Sequence, residues 1–272
     1  MYHLKQIPSD TQIRKFLRRI LFGKNIFCPI CKTRKVTINQ DRYWCGRCRR
    51  RFSLLSHTWL SSMRISLAKF WLILWCFVNQ VPVKQTEKLT STSEKGVRHW
   101  FDLFRSHLPN SQEVLEHIVQ LDEAYFGHFT SFTRELSGFT LIMGKEKGTR
   151  KLAYELIPTD PTKLDAINFV KNHVRADSHL NTDASTIYQD IEKYYPVTHT
   201  SDIHIKFEFK NTSEIEGMFG VFRTFIRRMY HHVTMEKFPD YMSEFYLRFS
   251  HPEIFDSPYQ YLLITLKLAP SG

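Results

Sequence analysis

Two Cys-x-x-Cys pairs limit what this chain can fold into more than any other feature. Cys28 and Cys31 form the first pair, Cys45 and Cys48 form the second, and thirteen residues separate them. Each pair places two thiolates on one tight turn, and two such turns complete a tetrahedron, so the spacing predicts a zinc ribbon with structural Zn²⁺. Two disulfides or a redox dithiol are the alternatives, but we expect a reducing compartment and see no thioredoxin-like context. The fifth cysteine, Cys76, lies in an apolar segment and is expected to be a core thiol.

Basic residues crowd around these cysteines. In the whole chain Lys and Arg outnumber Asp and Glu by 38 to 27, which gives a formal charge of +11 and a pI near 9.4. The charge predicts a polyanionic partner, and on the ribbon it predicts contact with DNA phosphates. The alternatives are a surface kept for solubility and a ribbon that packs on its neighbours or binds protein. The cations of the ribbon are Lys32, Arg34, Lys35, Arg42, Arg47, Arg49, Arg50 and Arg51.

No membrane partner is expected. The longest apolar run, Phe70 to Val78, is about half of what a bilayer crossing requires, so it predicts a buried helix. The positive charge is spread along the chain and is not confined to one amphipathic helix, which disfavours a membrane-surface role. The N-terminal segment has no apolar stretch typical of a secretory signal. We therefore expect a cytoplasmic protein, or a nuclear one if the host is eukaryotic.

The first 110 residues otherwise predict helices. Ser9 and Asp10 form a cap signal for an amphipathic helix that ends at Gly23, and a second helix is predicted from Leu67 to Val78. Two short helices follow, the later one capped by Ser93, and they predict a helix-turn-helix or a plain helical hairpin. The inward stripe of the later helix is predicted to hold Val97, Trp100, Phe101, Phe104 and Leu108. The cations expected outside this stripe are Lys95, Arg98 and Arg105.

Beyond Pro109 the pattern changes to alternating strands and helices. Three successive strands are predicted at 117–126, 139–145 and 151–158, followed by a helix at 163–174 and a strand that ends in Asp183. Another helix is predicted at 185–195, an extended piece at 202–209, and a long helix from about Ser213 to Met229. Helical segments complete the chain. This layout predicts an α/β domain.

Three acidic residues are candidates for a site. Strand alternation sends Asp122 and Glu123 to opposite faces, so only one of them is expected to point into any given site. Asp183 closes a strand at its carboxyl end, where ligand sites of α/β sheets gather. Turn or cap roles are the alternatives for both aspartates. Glu216 has an alternative role too, because Ser213 and Glu216 have the spacing of a capping box.

Helical geometry places an arginine on the same side of a helix as one of these acids. At 100° per residue, one polar stripe of the long helix carries Glu216, Arg223, Arg227 and Tyr230. A carboxylate and a guanidinium two turns apart could address a metal ion and a nearby phosphate. The buried face is predicted to hold Ile215, Met218, Phe219, Phe222 and Ile226.

Several motifs, taken in order, resemble one family. They are the ribbon, "FSLLSHTWLSS", "VQLDEAYFGH", "NTD" near "IYQDIEKYYPVTH", "IEGMFGVFRTFIRRMYHHVT" and "SEFYLRF". Together they resemble the zinc-ribbon DDE transposases of bacterial and archaeal insertion sequences, of the ISXO2-like type, and the eukaryotic Merlin transposases look similar.

The resemblance implies a ribonuclease H-like catalytic domain whose acidic triad binds two Mg²⁺ or Mn²⁺ ions. Matched by motif, the triad is Asp122, Asp183 and Glu216, with Arg223 seven residues after the glutamate. It also implies a DNA transposase that binds terminal inverted repeats in double-stranded DNA, cleaves 3′ ends and transfers strands, as a homodimer or higher assembly. The rivals are a nuclease of the same fold and a DNA-binding regulator without catalytic activity.

The expected domain order follows from these assignments. It is an N-terminal helix at 1–24, a zinc ribbon at 25–60, a helical, helix-turn-helix-like segment at 61–110, and a ribonuclease H-like catalytic domain at 111–272.

Overall fold

The computed structural model describes residues 7–40, 42–129, 136–158, 160–202, 212–231 and 233–269. The chain divides into two compact units, residues 1–109 with 253–272, and residues 110–252. The division differs from the predicted one at the C-terminal segment, which we had assigned to the catalytic domain. This segment packs within the first unit, where the Tyr261 hydroxyl donates a hydrogen bond to the Phe104 carbonyl at 2.7 Å. Trp59 Nε1 likewise donates to the Thr265 carbonyl at 3.1 Å.

The described residues form eight helices and eight strands, which are numbered in chain order. The helices are α1 (Asp10–Phe22), α2 (Leu67–Val78), α3 (Val83–Thr90), α4 (Glu94–Ser106), α5 (Lys163–His173), α6 (Ser213–Met229), α7 (Phe238–Ser250) and α8 (Pro258–Thr265). The strands are β1 (Val36–Asn39), β2 (Arg42–Cys45), β3 (Arg51–Ser53), β4 (Ile118–Phe129), β5 (Leu136–Glu146), β6 (Leu152–Ile157), β7 (His179–Asp183) and β8 (Thr198–Asp202).

The first unit joins α1 to a three-stranded ribbon. β1, β2 and β3 form an antiparallel sheet in that order. α1 begins with the predicted cap, a reciprocal capping box between Ser9 and Gln12, and ends at Gly23, which has the left-handed φ of 66° that a glycine tolerates. The ring of Phe22, at the end of α1, lies 6.3 Å from that of Tyr43 and 6.4 Å from that of Phe52. Aromatic packing thus fixes α1 against the ribbon.

The same unit holds the helical segment. α2 has the predicted bounds, and α3 and α4 are joined by a short turn whose Ser91 adopts a left-handed conformation. Ser93 caps α4 as predicted, by accepting a hydrogen bond from the Gly96 amide. One prediction for α4 is wrong, because Arg105 is buried and pairs with Asp102 Oδ1 at 2.9 Å. An arginine can enter a helical core when its charge is paired there.

The second unit is built on a five-stranded mixed sheet in the order β6-β5-β4-β7-β8. β4, β5 and β6 are antiparallel neighbours, whereas β4, β7 and β8 are parallel. α5 covers one face over a fully buried core that includes Leu121, Phe169 and Leu180. A methyl group on Gly144 of β5 would approach the Leu121 side chain to 2.8 Å, so this strand requires glycine where the layers meet. The predicted α/β class is confirmed.

The helix predicted at 185–195 is wrong. Two short 3₁₀ turns, Thr186–Tyr188 and Ile191–Lys193, take its place, and Asp190 between them has a left-handed φ of 60°. The reversal turns Tyr188 and Ile191 into the core. Residues 203–209 of the extended piece predicted at 202–209 lie outside the described residues, and β8 ends at Asp202.

Within the described residues, no helix combines the length and the apolar character that crossing a bilayer requires.

Candidate active site and metal centre

Four sulfur atoms converge in the ribbon. One ligand atom from each of Cys28, Cys31, Cys45 and Cys48 lies within 4.8 Å of the others. The Sγ atoms of Cys28 and Cys48 are 3.6 Å apart, and those of Cys31 and Cys45 are 3.4 Å apart. A disulfide requires about 2.0 Å, whereas a tetrahedron with Zn–S bonds of about 2.3 Å has S···S edges of about 3.8 Å. The donor set fits a structural Zn²⁺ and not a pair of disulfides.

The two cysteine turns are the same backbone structure formed twice. The amide of Lys32 donates to the Cys28 carbonyl, and the amide of Arg49 donates to the Cys45 carbonyl, both at 2.9 Å. Lys32 and Arg49 also have left-handed φ angles, of 57° and 54°. The repeated turn aims the paired thiols at one point, as the Cys-x-x-Cys spacing predicts.

A carboxylate cluster lies in the second unit, where two parallel strands stop pairing. β4 and β7 are paired from Ile118 with His179 to Gln120 with Asn181. Asp122 and Asp183 each stand two residues beyond the last pair. Both aspartates therefore stand where β7 ends and stops pairing with β4, and ligand sites of such sheets form at the carboxyl ends of parallel strands.

Glu123 joins this cluster, against our prediction. One carboxylate oxygen from each of Asp122, Glu123 and Asp183 lies within 4.8 Å of the others. Strand alternation does send the two adjacent acids to opposite faces. Because β7 no longer pairs with β4 at this point, the long Glu123 side chain still reaches the cluster. The expectation that only one of the adjacent acids points into the site is wrong.

The electrostatics of the cluster favour a bound cation. Burial raises the pKa of Asp122 to about 7. The negative charges of Asp183, Glu123 and Glu216 act in the same direction. Like charges this close resist full ionisation unless a positive charge lies between them. Carboxylate oxygens are the ligands that Mg²⁺ and Mn²⁺ prefer, so the donor set fits such ions.

Glu123 lies beside two residues of the first 3₁₀ turn, Ser185 at its N-cap and Tyr188 at its end. The Ser185 hydroxyl donates to Glu123 Oε1 at 3.1 Å. Glu123 Oε2 and the fully buried Tyr188 hydroxyl have no hydrogen-bond partner of ordinary geometry, although each is close enough to alter the pKa of the other. Ser185 also donates its amide to Asp183 Oδ1 at 3.0 Å, so Asp183 belongs to the cluster and caps a turn at once.

Two contacts fix the first turn of α6 against the sheet. The Ile215 amide donates to Gln120 Oε1 of β4 at 3.0 Å. Lys145 Nζ of β5 contacts Glu214 Oε2 at 2.6 Å and also donates to the carbonyls of Glu146 and Thr149. These contacts hold the backbone on the N-terminal side of Glu216.

Glu216 lies in this first turn and is half-buried. Its charge contributes to the raised pKa of Asp122, which places it beside the cluster, although it is not one of the three acids within 4.8 Å of each other. The capping box proposed as its alternative role is not observed. The N-cap residue is Thr212, and Glu216 Oε1 accepts a 3.3 Å hydrogen bond from its hydroxyl.

Arg223 is exposed and lies above an aromatic ring of the central strand. Its guanidinium carbon is 5.2 Å from the ring centroid of Phe126, which stands four residues after Asp122 on β4. Four strand residues span about 13 Å. The structure thus places Arg223 along the same face of β4 as Asp122, on the helix that carries Glu216.

Tyr230 does not belong to the polar stripe of α6. It is buried, and its hydroxyl donates to Glu244 Oε2 at 2.6 Å. Glu244 is fully buried and accepts a second hydrogen bond from Arg248 Nε at 2.7 Å. The prediction for Tyr230 is wrong because this α7 ion pair supplies a buried partner. Of the predicted buried face, Ile226 is only half-buried, whereas Phe225 and Met229 are buried.

The supporting residues of the site were not predicted from the sequence. Gln120 shares the face of β4 that carries Asp122, and a polar side chain in a strand otherwise rich in apolar residues was a usable signal. Glu123 was set aside by strict alternation. Ser185 and Tyr188 fell in the segment predicted as a helix.

Residues 114–250 match the family model of the ISXO2-like transposase domain. No curated protein matches the chain. Among solved structures, a chain of the simian T-cell lymphotropic virus intasome in complex with the PP2A regulatory subunit B56 gamma is 13% identical, with 71% of this chain and 73% of that chain covered and a TM-score of 0.38. The HTLV-2 integrase catalytic core domain in complex with magnesium, in its dimeric form, is 10% identical, with 56% and 97% covered and a TM-score of 0.34. The family match, together with the strand order, confirms the predicted ribonuclease H-like fold.

Proposed function

The chain belongs to the family of ISXO2-like transposases, and on that premise we propose that it is an active DDE transposase. It binds the terminal inverted repeats of its element, cleaves the DNA at the 3′ ends of the element and transfers those ends to target DNA. The single observation that carries this proposal is the approach of Asp122, Asp183 and Glu123 to one another, with Glu216 beside them.

The acids would hold the metal ions of the reaction. Asp122 lies within β4 just beyond its last pair with β7, Asp183 ends β7, and Glu216 comes from the first turn of α6. When bound, two divalent cations supply an activated oxygen nucleophile and stabilise the leaving oxygen of an in-line displacement. Structural Zn²⁺ is assigned to Cys28, Cys31, Cys45 and Cys48.

Two displacements at phosphorus account for cleavage and joining. In the first, a water oxygen bonds to phosphorus at the element end, the bond from phosphorus to the 3′ oxygen breaks, and that oxygen takes up a proton. In the second, the freed 3′ hydroxyl loses its proton and bonds to a target phosphorus, while the target's own 3′ oxygen leaves and is protonated. One phosphodiester replaces another, so joining needs no external energy source.

Arg223 is proposed to act on phosphate charge beside the acids. Its guanidinium is exposed and lies over Phe126 of β4, the strand that carries Asp122. An arginine can donate two parallel hydrogen bonds to one phosphate. The ribbon and the α3–α4 segment are proposed to bind the terminal repeats, and two ends held together require at least a homodimer.

The test uses the zinc-loaded full chain, Mg²⁺ and labelled duplexes that carry the element's ends. Asp122→Asn should abolish cleavage and joining without changing DNA binding. Asp177→Asn is the matched control, because Asp177 is exposed and has a left-handed φ of 66° that asparagine tolerates. Metal-dependent products from Asp122→Asn would falsify the proposal.

The same experiment separates the rival functions. Joined products support a transposase, and nicks without joining support a nuclease of this fold. Retarded but uncut DNA supports a DNA-binding regulator.

A further inference from the structure

The positive charge of the chain is concentrated in the first unit. Residues 1–109 and 253–272 contain 22 Lys and Arg against 7 acids, a formal charge of +15, whereas residues 110–252 contain 16 against 20, a charge of −4. Our expectation that the excess is spread along the chain is therefore wrong. Residues 11–59 alone hold thirteen of the cations and a single acid, Asp41.

Four of these cations lie on α1, a helix with no predicted role in binding. Its apolar side is buried, with Ile13 and Leu17 at 0% exposure. Its opposite side exposes Lys15, Arg18 and Arg19. These three cations form no ion pair with any acid in the described part of the chain.

Three depressions that share lining residues extend from the exposed side of α1 to the ribbon. A depression of about 500 Å³ is lined by Lys15, Arg18 and Arg19 with Lys24. A second one of about 210 Å³ shares Lys15 and Arg18 and adds Tyr43 of β2. A third one of about 510 Å³ shares Tyr43 and adds two further cations of the sheet. We call the surface formed by these three depressions the basic groove, and its cations are Arg14, Lys15, Arg18, Arg19, Lys24, Arg42 and Arg51.

The helix-turn-helix-like segment differs from the basic groove in its charge. Lys84 and Arg98 both pair with Glu94, at 2.6 and 2.9 Å. Arg105 is buried against Asp102. Most of the cations on α3 and α4 are therefore partly neutralised by their own helices. In the described part of the chain, by contrast, Lys15, Arg18, Arg19, Lys24, Arg42 and Arg51 of the basic groove form no ion pair.

We propose that the basic groove binds the phosphate backbone of double-stranded DNA, so that α1 and the ribbon form one binding surface. The inference rests on the function proposed above, because it names the part of the chain that holds the DNA. From Lys15 to Gly23 the helix spans about 12 Å, over which a duplex presents about seven phosphate charges. Flexible cations on one face of a groove suit backbone contacts that position DNA without reading its sequence.

A membrane surface is a poorer partner for the same charge. An amphipathic helix binds a bilayer by placing its apolar side among the lipids. The apolar side of α1 is already packed in the protein, where the rings of Phe16 and Trp71 of α2 are 6.2 Å apart and Phe22 contacts the ribbon.

The test measures binding without chemistry. The zinc-loaded full chain is titrated onto a 30-bp duplex (a length of about three helical turns) without added divalent ions, from low to moderate salt. Lys15→Ala/Arg18→Ala should lower the slope of log K against log salt by about 1.8, since each lost phosphate contact is worth about 0.9. The control is Lys171→Ala/Lys267→Ala, which removes two exposed cations outside the groove and should leave the slope unchanged.

Three results would overturn the proposal. The first is an equal slope of log K against log salt for Lys15→Ala/Arg18→Ala and the wild type. The second is an equal fall of that slope in the control variant. The third is tighter binding of the wild type to anionic phosphatidylserine vesicles than to the duplex. Lys15→Gln/Arg18→Gln, checked by circular dichroism, must give the same loss if charge and not helix content is responsible. A changed slope in this test, with no cleaved or joined products in the Mg²⁺ assay described above, would leave the groove standing and refute the transposase mechanism. An unchanged slope with products in the Mg²⁺ assay would refute only the groove.

Discussion

Gln120 Oε1 accepts a hydrogen bond from the Ile215 amide at 3.0 Å, and this contact ties the central strand to the first turn of α6. Gln120 stands two residues before Asp122, and Ile215 stands one residue before Glu216. One buried hydrogen bond therefore sets the distance between two acids proposed to share metal ions. Gln120 is fully buried, so water does not compete for the bond.

Gln120→Leu should weaken metal binding through this contact. The variant leaves the Ile215 amide without its partner, which costs about 1–3 kcal/mol of unfolding free energy, and it frees the turn that carries Glu216. We expect the affinity for Mn²⁺, measured by calorimetry on the zinc-loaded chain, to fall about tenfold or more. Gln112→Leu is the matched control, because Gln112 bonds the backbone of Tyr154 with its side chain in the same unit. An equal loss of Mn²⁺ affinity in both variants would show that Gln120 acts only on stability.

Glu123→Gln should also weaken Mn²⁺ binding, by about 10- to 100-fold. The substitution keeps the size of the side chain and its contact with Ser185, but it removes one negative charge from the cluster. Glu155→Gln is the comparison, since Glu155 pairs with His173 away from the cluster. Unchanged Mn²⁺ affinity in Glu123→Gln would mean that Glu123 is only a neighbour of the site.

The stability of the protein should fall with rising pH when no divalent ion fills the acid cluster. The pKa of Asp122 rises from 3.8 to about 7 on folding. A proton therefore binds the folded protein more tightly, and the stabilisation it gives is present below pH 4 and lost as the pH rises through 7. We expect a loss on the order of 2 kcal/mol between pH 5 and 8, measured by thermal unfolding of the zinc-loaded chain.

Two comparisons check the origin of this pH dependence. Asp122→Asn has no titrating carboxyl at this position and should remove most of the loss, and Mn²⁺ should raise the unfolding temperature more at pH 8 than at pH 5. If Asp122→Asn keeps the full pH dependence, other groups cause it.

Cys31→Ser should release the zinc ion and unfold the ribbon. Three thiolates and a hydroxyl bind Zn²⁺ far more weakly than four thiolates, and a ribbon this small lacks a core of its own. A colorimetric zinc assay should find about one ion per chain in the wild type and much less in the variant. Cys76→Ala removes a buried thiol of α2 instead and should keep the zinc. Full zinc content in Cys31→Ser would exclude the four-cysteine site.

Disrupting the buried network of Glu244 should destabilise the second unit. Arg248→Met removes the guanidinium that pairs with the fully buried Glu244 carboxylate and should cost about 3–5 kcal/mol of unfolding free energy. Tyr230→Phe removes one hydrogen bond to the same carboxylate and should cost about 1–3 kcal/mol. Denaturant unfolding measures both. A larger loss in Tyr230→Phe than in Arg248→Met would contradict this order.

Local signals in the sequence predicted the elements of the fold well where one physical cause dominates. The apolar run from Leu67 to Val78 gave the bounds of α2, and the Ser9 cap gave the start of α1. The four cysteines predicted a cluster because their chemistry leaves few alternatives in a reducing compartment. Asp122 and Asp183 were found by family resemblance, and the structure brings them together.

Predictions that ignored tertiary partners were less reliable. Tyr230 and Arg105 looked exposed on helical wheels, but Tyr230 bonds the buried Glu244 of α7, and Arg105 pairs with Asp102 one turn earlier on α4. The segment around Asp190 has helical periodicity, yet its left-handed residue breaks the helix so that Tyr188 can lie under the acids. Predicting that Glu123 joins the cluster requires knowing where β7 stops pairing with β4. That register is a property of the assembled sheet and not of the local sequence.

The division of charge between the units has a consequence for how the protein meets its substrate. A unit with a net charge of −4 and a cluster of carboxylates has no long-range attraction for a polyanion, so recruitment depends on the other unit, at +15. Ionic strength should then govern how long DNA stays bound while leaving the bond-breaking step untouched. The affinity for DNA and the rate of the chemical step can consequently change independently among related chains, since each depends on side chains that the other does not use.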